Sequence, residues 1–444
     1  AYEIRPRDWS SDVCSSDLAQ CGFCTPGILC RLVSTAARRG LSDVAIERAL
    51  AAHLCRCTGW QPIVEAATLL RDGGEFAPRD PHLAAVRAGI EQGVPQAAGP
   101  DVVLGRAPYA DDTAPLDAQL WWTNGTGEYV AARSRHEARQ LTRAVQGRNS
   151  SAPVRPALPI PPGNWAVSLQ TTFCEPAYVE PDTSWCEPGG EPSSPAANAG
   201  AFGAKRRSVI RDDAHRVANE TGQTVIVAWS REAVVRKGKK RPPLSLGLHP
   251  DGSGVVHVAV TPQSDDLSEL VSVVRGVLPD VTVELHHVNG PPVGATHRGA
   301  VLAELLAARA TIGRSAGEPI TVTSPNGSTA TVTYRAHHID VVVNAGEPLC
   351  EVTLRSYVMG AVHQAVSMVW SEGIALNSEG EPVDLTIRSF GVVPAAGTPS
   401  MSVTIEPSST PAVAVGGAVF AATLAAVWLH EGGTSWPTRR KDAS

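Results

Sequence analysis

Four cysteines in two closely spaced pairs have the residue type and spacing of metal ligands. Cys21 and Cys24 form a C-x2-C pair, and Cys55 and Cys57 form a C-x-C pair further along the chain. Thiolates are soft donors, so four of them favour an iron–sulfur cluster or zinc over calcium or magnesium. Zinc sites commonly use C-x2-C twice, and the C-x-C half is less typical of them. The spacing alone therefore favours a cluster and leaves a structural zinc site as the alternative.

The residues around the two pairs are predicted to be helical. Apolar side chains recur three or four positions apart in three stretches, which predicts a small α-helical domain over residues 19–75. Ser42 would cap the second helix and Thr58 the third. Cys24 and Cys57 would then lie just before helix N-termini, whose N–H groups stabilise anionic sulfur.

The remaining cysteines are not assigned as ligands. The chain has nine cysteines, and an odd number argues against the disulfide framework of a secreted protein. Their crowding near the N-terminal end predicts a reducing compartment, so we expect a cytoplasmic protein. Cys30 falls inside the first predicted helix and is expected to be a buried core thiol.

Residues 1–18 differ from the helical domain that follows them. Their sequence, AYEIRPRDWSSDVCSSDL, has no apolar core, so it is not a signal peptide, and it has neither a helical nor a strand period. It resembles a translated sequencing adapter. We therefore expect an artefactual peptide in which Cys14 has no role.

The rest of the chain is predicted to form a second, larger domain. Residues 76–104 carry four prolines and are interpreted as a linker, and residues 436–444 as a tail. Residues 105–435 mix helical and strand patterns in irregular order, with hairpin turns at 250–252 and 326–327. This order favours an α+β fold over a doubly wound sheet, and no internal repeat is visible.

Composition and charge argue against two broad classes of function. Thirty-eight basic and 44 acidic residues give a net charge of −6, which disfavours a nucleic-acid-binding protein. The cationic stretch Arg231–Arg241 is expected to be a solvated, partner-facing or phosphate-facing surface. The uncharged stretch Ala412–Leu429 is rich in Ala, Gly and Val and lacks a basic flank, so it predicts a buried core helix rather than a membrane span.

The sequence around both cysteine pairs resembles a known cluster domain. QCGFCTPG and CRCTGWQPI closely resemble the second cluster domain of the xanthine dehydrogenase and aldehyde oxidase family of molybdenum hydroxylases. The resemblance implies a [2Fe-2S] cluster with Cys21, Cys24, Cys55 and Cys57 as its ligands. It also implies that Gln20 approaches the pterin of a molybdenum cofactor. Members of the family carry a plant-type ferredoxin domain before this one, which is not seen here, so we expect a truncated or chimeric gene product.

The larger domain resembles the molybdenum-cofactor subunit of that family more loosely. Asn198–Lys205 resembles its glycine-rich loop, which implies that Gly200, Phe202 and Gly203 contact a molybdopterin-type cofactor. A later segment that begins at His297 occupies the place of a second cofactor loop, and the resemblance implies that Arg298 is a further contact.

The family's catalytic base has no counterpart in the matching segment. In the family, a glutamate in a Gly-x-Gly-Glu loop acts as the base beside the metal. The corresponding Val413–Phe420 contains no carboxylate. Loss of a general base typically costs about 100- to 10,000-fold in rate. The catalytic residue is therefore left unassigned, with Glu175, Glu180 and Glu304 as weak candidates.

Two functions of different classes follow from these features. The first is an oxidoreductase subunit of the molybdenum hydroxylase type, which oxidises a small-molecule substrate and passes electrons through a [2Fe-2S] cluster to a redox partner or separate flavin subunit. The second is a non-catalytic [2Fe-2S] electron-transfer or scaffolding subunit with a degenerate cofactor domain. An interaction protein that is stabilised by a structural zinc ion is a third, more remote hypothesis. None of the three involves a nucleic acid or a membrane.

Overall fold

The computed structural model describes residues 19–74, 80–142 and 152–439 of the chain. The expected artefactual peptide at residues 1–18 lies outside the described residues. So does the part of the expected tail that follows residue 439.

Three helices form the predicted N-terminal helical domain: α1 (Thr25–Arg39), α2 (Asp43–Leu50) and α3 (Gln61–Arg71). The Ser42 side chain caps α2 as predicted, because its hydroxyl accepts a hydrogen bond from the Ala45 amide at 3.3 Å. Apolar residues at helical spacing, including Ile28, Ile46 and Ile63, are buried between the helices.

Two details of this domain differ from the sequence prediction. Helix α3 begins at Gln61 rather than Thr58, because Trp60 adopts a positive φ of 69° and separates Thr58 from the helix. The Thr58 hydroxyl instead turns towards Cys55, at 3.2 Å from its sulfur. The expectation that Cys30 is a core thiol is wrong, since its side chain lies on the exposed face of α1.

The segment interpreted as a linker contains two helices, α4 (Pro81–Gln92) and α5 (Pro100–Val103). A third short helix, α6 (Ala110–Thr113), follows the segment. Pro81 stands at the first position of α4, where its missing N–H removes no helical hydrogen bond. The Asp80 carboxylate caps the same end by accepting from the His82 amide at 2.8 Å. Proline here starts a helix rather than marking a loop.

The larger domain is built from twelve strands and seven further α-helices within the described residues. The strands are β1 (Gln119–Thr123), β2 (Val130–Ala132), β3 (Val167–Gln170), β4 (Thr183–Cys186), β5 (Val225–Trp229), β6 (Leu244–Leu248), β7 (Gly254–Val260), β8 (Val281–His287), β9 (Ile320–Thr323), β10 (Thr329–Arg335), β11 (His338–Asn344) and β12 (Ser400–Ile405). The helices are α7 (Arg135–Leu141), α8 (Ile210–Thr221), α9 (Arg231–Lys237), α10 (Ser268–Val277), α11 (Leu302–Thr311), α12 (Glu351–Trp370) and α13 (Gly416–Glu431).

These strands form three four-stranded mixed sheets. The first sheet has the order β2-β1-β5-β4, in which β1 and β5 are parallel and the outer pairs are antiparallel. The second has the order β3-β6-β7-β8, and the third β12-β11-β10-β9. Helices pack against mixed sheets in irregular order, so the predicted α+β class is confirmed.

The second and third sheets repeat one topology. In the second sheet, β6 and β7 form an antiparallel hairpin, and β8 lies parallel to β7 after helix α10. In the third, β10 and β11 form the hairpin, and β12 lies parallel to β11 after helix α12. A helix follows each unit, α11 and α13 respectively. The repeat is one of strand order rather than of residue identity, which is why no repeat is visible in the sequence.

Helices α12 and α13 lie at the centre of the larger domain. Both are buried along almost their whole length and share one apolar core with the second and third sheets. A helix that is apolar on every side must be surrounded by other elements, which agrees with the prediction for Ala412–Leu429. Within the described residues, no helix combines the length and apolar character needed to cross a membrane.

The cationic stretch that precedes β6 is partly buried, contrary to the sequence expectation. Lys240 and Arg241 lie in the interior, where Lys240 pairs with Glu175 at 2.8 Å and Arg241 with Glu304 at 2.5 Å. Each buried cation is offset by a buried carboxylate from a distant segment. Such pairing is a property of the fold and is not visible in a local count of charges.

Candidate metal centre

The four predicted ligands converge at one place in the helical domain. The Cys24 thiol is hydrogen-bonded to Cys55, and the Cys57 thiol to Cys21. Each contact therefore joins one cysteine of the first pair to one of the second. Cys21, Cys55 and Cys57 are buried and Cys24 is half-buried, so the four sulfurs form a compact donor set shielded from water.

Contacts between the thiols shift the pKa values of these cysteines in different directions. The hydrogen bond with Cys55, followed by burial, raises the pKa of Cys24 well above its usual value. The hydrogen bond with Cys21 raises the pKa of Cys57 in the same way. The pKa of Cys55 is lowered to about 6, mainly because Cys24 and then Thr58 donate hydrogen bonds to its sulfur. The lowered pKa favours the anionic form of Cys55, in which a cysteine binds a metal.

The glycine-rich loop packs directly against these sulfurs. Gly200 has a φ of 58°, and a Cβ added to it would lie 2.5 Å from Cys57 Sγ and 3.0 Å from Cys21 Sγ. Only a residue without a side chain allows this approach. The chemistry of the donors, their burial and this close cover fit a small thiolate-held cluster.

Helix α12 closes the site from the other side. A Cβ on Gly360 would collide with the carbonyl oxygen of Cys57, closer than the 3.0 Å that real Cβ atoms keep. The Gln364 side chain donates to the Arg56 carbonyl at 2.9 Å. Gly360 was not predicted as a site residue, and a single glycine inside a predicted helix was the available signal.

Gln20 is also held by α12. Its side-chain nitrogen donates to Ser356 Oγ at 2.9 Å, while its oxygen is buried and has no hydrogen-bond partner within the described chain. Gln20 directly precedes Cys21 in the chain, and the structure leaves one of its polar atoms available to a ligand.

Arg298 and Phe202 lie together near the glycine-rich loop. The Arg298 guanidinium carbon is 3.9 Å from the Phe202 ring centroid, and Arg298 Nε donates to Gln364 Oε1 at 2.5 Å. Burial, followed by the charge of Arg56, lowers the pKa of Arg298 to about 9. Its Nη2 is buried and lacks a hydrogen-bond partner among the described residues. Gly203 instead packs against the Thr296 carbonyl, which a Cβ at that position would overlap.

The N-terminus of α13, where the family's catalytic glutamate would be expected, receives a carboxylate from α4. Glu91 accepts hydrogen bonds from the amides of Val415 and Gly416, each at 3.1 Å, and forms an ion pair with Arg87. Sequence reasoning missed Glu91 because its segment was interpreted as a linker.

The other carboxylates named as weak candidates have structural partners. Glu175 pairs with Lys240, Glu180 with Lys205, and Glu304 with Arg241. Burial raises the pKa of Glu180 to about 7 although Lys205 opposes the shift. A carboxylate already bound to a buried cation stabilises the fold and is poorly placed to act as a base.

A comparison with family models identifies the class of the N-terminal region. Residues 8–68 match the family described as "[2Fe-2S] binding domain". This match begins before the described residues and covers all four clustered cysteines. The chain therefore contains a [2Fe-2S] binding domain.

Curated relatives match a short segment of the chain. Xanthine dehydrogenase 1 of Arabidopsis thaliana is 48% identical over 54 residues, which are 12% of this chain and 4% of the relative. Xanthine dehydrogenase/oxidase of Mus musculus is 41% identical over 64 residues, which are 14% of this chain and 5% of the relative. Indole-3-acetaldehyde oxidase of Arabidopsis thaliana is 46% identical over 54 residues, which are 11% of this chain and 4% of the relative. The chain thus spans only 4–5% of the length of these relatives.

Solved structures share the fold over nearly the whole chain. Aldehyde oxidoreductase from Desulfovibrio gigas has a TM-score of 0.66 at 11% identity and covers 97% of this chain and 90% of its own. The aldehyde oxidoreductase from Desulfovibrio desulfuricans has a TM-score of 0.67 at 11% identity and covers 98% and 90%. Together with the segment matches, this confirms the expected resemblance to the xanthine dehydrogenase and aldehyde oxidase family.

Proposed function

We propose that the chain is an iron–sulfur oxidoreductase subunit of the molybdenum hydroxylase type. In this proposal the [2Fe-2S] cluster takes electrons from a molybdopterin site and passes them to a separate acceptor. The observation that carries it is the contact of Gly200 with the sulfurs of Cys57 and Cys21, because it joins the glycine-rich loop to the metal centre. Close packing of the loop against the cluster ligands would keep the two centres near each other, which favours electron transfer between them.

The chain's own residues supply polar groups for a cofactor near this contact. Arg298 Nη2 can donate to an oxyanion, and Gln20 Oε1 can accept from a ring N–H, since neither atom has a partner among the described residues. Phe202 holds the Arg298 side chain in place, and Gln364 links it to the backbone of Arg56 between the cluster ligands. A molybdopterin cofactor held there would supply the oxidation of a substrate C–H bond.

Three contacts favour a second candidate, a non-catalytic [2Fe-2S] electron-transfer subunit. The space that a Cβ on Gly203 would occupy is taken by the Thr296 carbonyl. At Gly416 the corresponding space is bordered closely by Arg298 and Glu91. The Glu91 carboxylate is already engaged by two amides and Arg87. A base would have to give up these bonds, so a degenerate cofactor domain fits this part of the structure.

Metal analysis of anaerobically purified chain separates the two candidates. We expect about two iron atoms per chain in either case, because four thiolates bind one [2Fe-2S] cluster. About one molybdenum per chain supports the hydroxylase, and iron without molybdenum after expression with active cofactor synthesis supports the electron-transfer subunit. Zinc in place of iron would contradict both.

The proposed acceptor is a separate protein with an acidic face. A groove of about 310 Å³ between α1 and α2 is lined by the exposed side chains of Arg31, Arg38, Arg39 and Arg48. No carboxylate of the described residues forms an ion pair with any of the four. Such a positive surface on a chain of net negative charge raises the encounter rate with an acidic partner.

Electron transfer to an acidic flavodoxin, used as the probe acceptor, tests this groove. Reversing two charges, Arg38→Glu with Arg48→Glu, is expected to slow oxidation of the dithionite-reduced cluster about tenfold at low salt, because steering is lost. The control is Arg275→Glu on α10, which is exposed and outside the groove. Equal slowing in the control, or none in the double variant, would remove the groove from the proposal.

A further inference from the structure

A second set of metal-ligand side chains lies on the second sheet, in a different domain from the cysteines. His257 on β7 is paired in register with Glu284 on the parallel strand β8, and His286 stands two positions further along β8. Alternate residues of a strand point to the same face, so all three side chains share one face of the sheet. The sequence analysis assigned none of these three residues as a metal ligand.

Two of the three separations between the donor atoms are close to those of a metal site. Glu284 Oε2 lies 3.2 Å from His257 Nε2 and 3.5 Å from His286 Nε2, and all three atoms lie within 4.8 Å of one another. Zinc bonds of roughly 2.0–2.2 Å at tetrahedral angles place neighbouring ligand atoms about 3.3–3.6 Å apart. The separation of 3.5 Å falls within this range, and that of 3.2 Å lies just below it.

The two histidines lie side by side next to the carboxylate. Their imidazole rings are 4.2 Å apart, and both Nε2 atoms lie within 3.5 Å of Glu284 Oε2. A cation placed between the two Nε2 atoms and Glu284 Oε2 would bind both nitrogens and the carboxylate at once.

Access to this point is open on one side. His257 is buried, whereas Glu284 and His286 are 51% and 41% exposed at the side chain. Strand β8 is at the edge of its sheet, so solvent reaches the ligands from that side. Two histidines and one carboxylate leave a fourth position for water or another ligand.

We propose that His257, Glu284 and His286 form a binding site for a divalent transition metal of the zinc type. The metal would link the edge strand β8 to β7 and thereby stabilise the second sheet. The site is independent of the proposed electron transfer and uses nitrogen and oxygen donors where the cluster uses sulfur.

Cobalt and zinc titrations of the cluster-loaded chain test this site. Cobalt bound by histidine and carboxylate lacks the strong thiolate charge-transfer absorption that cobalt bound by cysteine shows, so the two sites are separable. Replacing a ligand, as in Glu284→Gln or His286→Ala, is expected to weaken binding by about 100-fold or more, since even loss of a supporting partner costs 10- to 100-fold. Both side chains are exposed enough for the variants to fold.

The matched control is His287→Ala, next to His286 on the same strand but directed to the opposite face. This variant is expected to bind metal like the parent. Zinc should raise the thermal midpoint of the parent and of the control, and not that of the two ligand variants. Equal zinc affinity in the parent and both ligand variants, or cobalt spectra with thiolate character alone, would overturn the proposal.

Discussion

Replacing Cys55 with serine is expected to abolish the visible absorption of the iron–sulfur cluster and to remove nearly all iron from the purified chain. The pKa of Cys55 is lowered to about 6, which favours the thiolate that a metal requires. Serine preserves the size of the side chain but provides a far weaker donor for iron at neutral pH. The absorption spectrum and iron content of anaerobically purified protein measure the effect.

The matched control for this substitution is Cys30→Ser. Cys30 lies on α1, only two turns from Cys24, but its side chain is exposed and takes no part in the sulfur contacts. This variant is expected to keep the full spectrum. Circular dichroism would show whether the Cys55 variant retains its helices. A Cys55→Ser chain with an unchanged spectrum and full iron content would rule out the ligand assignment.

The features predicted well from the sequence are those set by local chemistry. Helix α2 starts where Ser42 can cap it, and the hairpins turn at 250–252 and 326–327, where Gly, Asn and Asp favour tight turns. The two cysteines of each pair are only two or three residues apart, so both side chains of a pair can reach the same metal centre. Neither inference needs knowledge of the rest of the chain.

The features missed depend on contacts between distant segments. Glu91 reaches the amides of Val415 and Gly416 only because α4 packs near the start of α13. Arg241 is buried only because Glu304, far along the chain, lies beside it. The alignment of His257 with Glu284 requires the register of two parallel strands that a helix separates. No local periodicity records such pairings.

The loop that carries Cys55 and Cys57 is fixed to the larger domain by an ion pair and by close backbone packing. Arg56, between two of the predicted ligands, is buried against Glu372 in a two-bond ion pair at 2.5 and 2.7 Å. Its carbonyl accepts from Gln364. Gly59 approaches Met359 so closely that a Cβ would lie 2.5 Å from the Met359 carbonyl oxygen. The ligands are therefore held in place by α12 as well as by the helical domain.

Gly360→Ala tests this dependence directly and is expected to disturb both stability and cluster retention. The added Cβ would overlap the Cys57 carbonyl oxygen, and both partners are backbone, on a buried helix and on the ligand loop. Neither can rotate away as a side chain could. Overpacking of this kind costs about 1–3 kcal/mol and sometimes more. Here relief requires Cys57 to move, so we expect a lower unfolding midpoint in urea together with iron loss.

The control for backbone and helix effects is Gly276→Ala, at the C-terminal end of α10. A Cβ there meets nothing within 4 Å, and replacing a helical glycine with alanine stabilises by up to about 1 kcal/mol. Gly276→Ala should therefore keep its iron and unfold at the same or a higher urea concentration. If Gly360→Ala behaves like this control, the α12 contact does not hold the ligand loop. If it loses stability but keeps its iron, α12 stabilises the fold without positioning Cys57. Only the combined loss supports a cluster whose geometry depends on the larger domain.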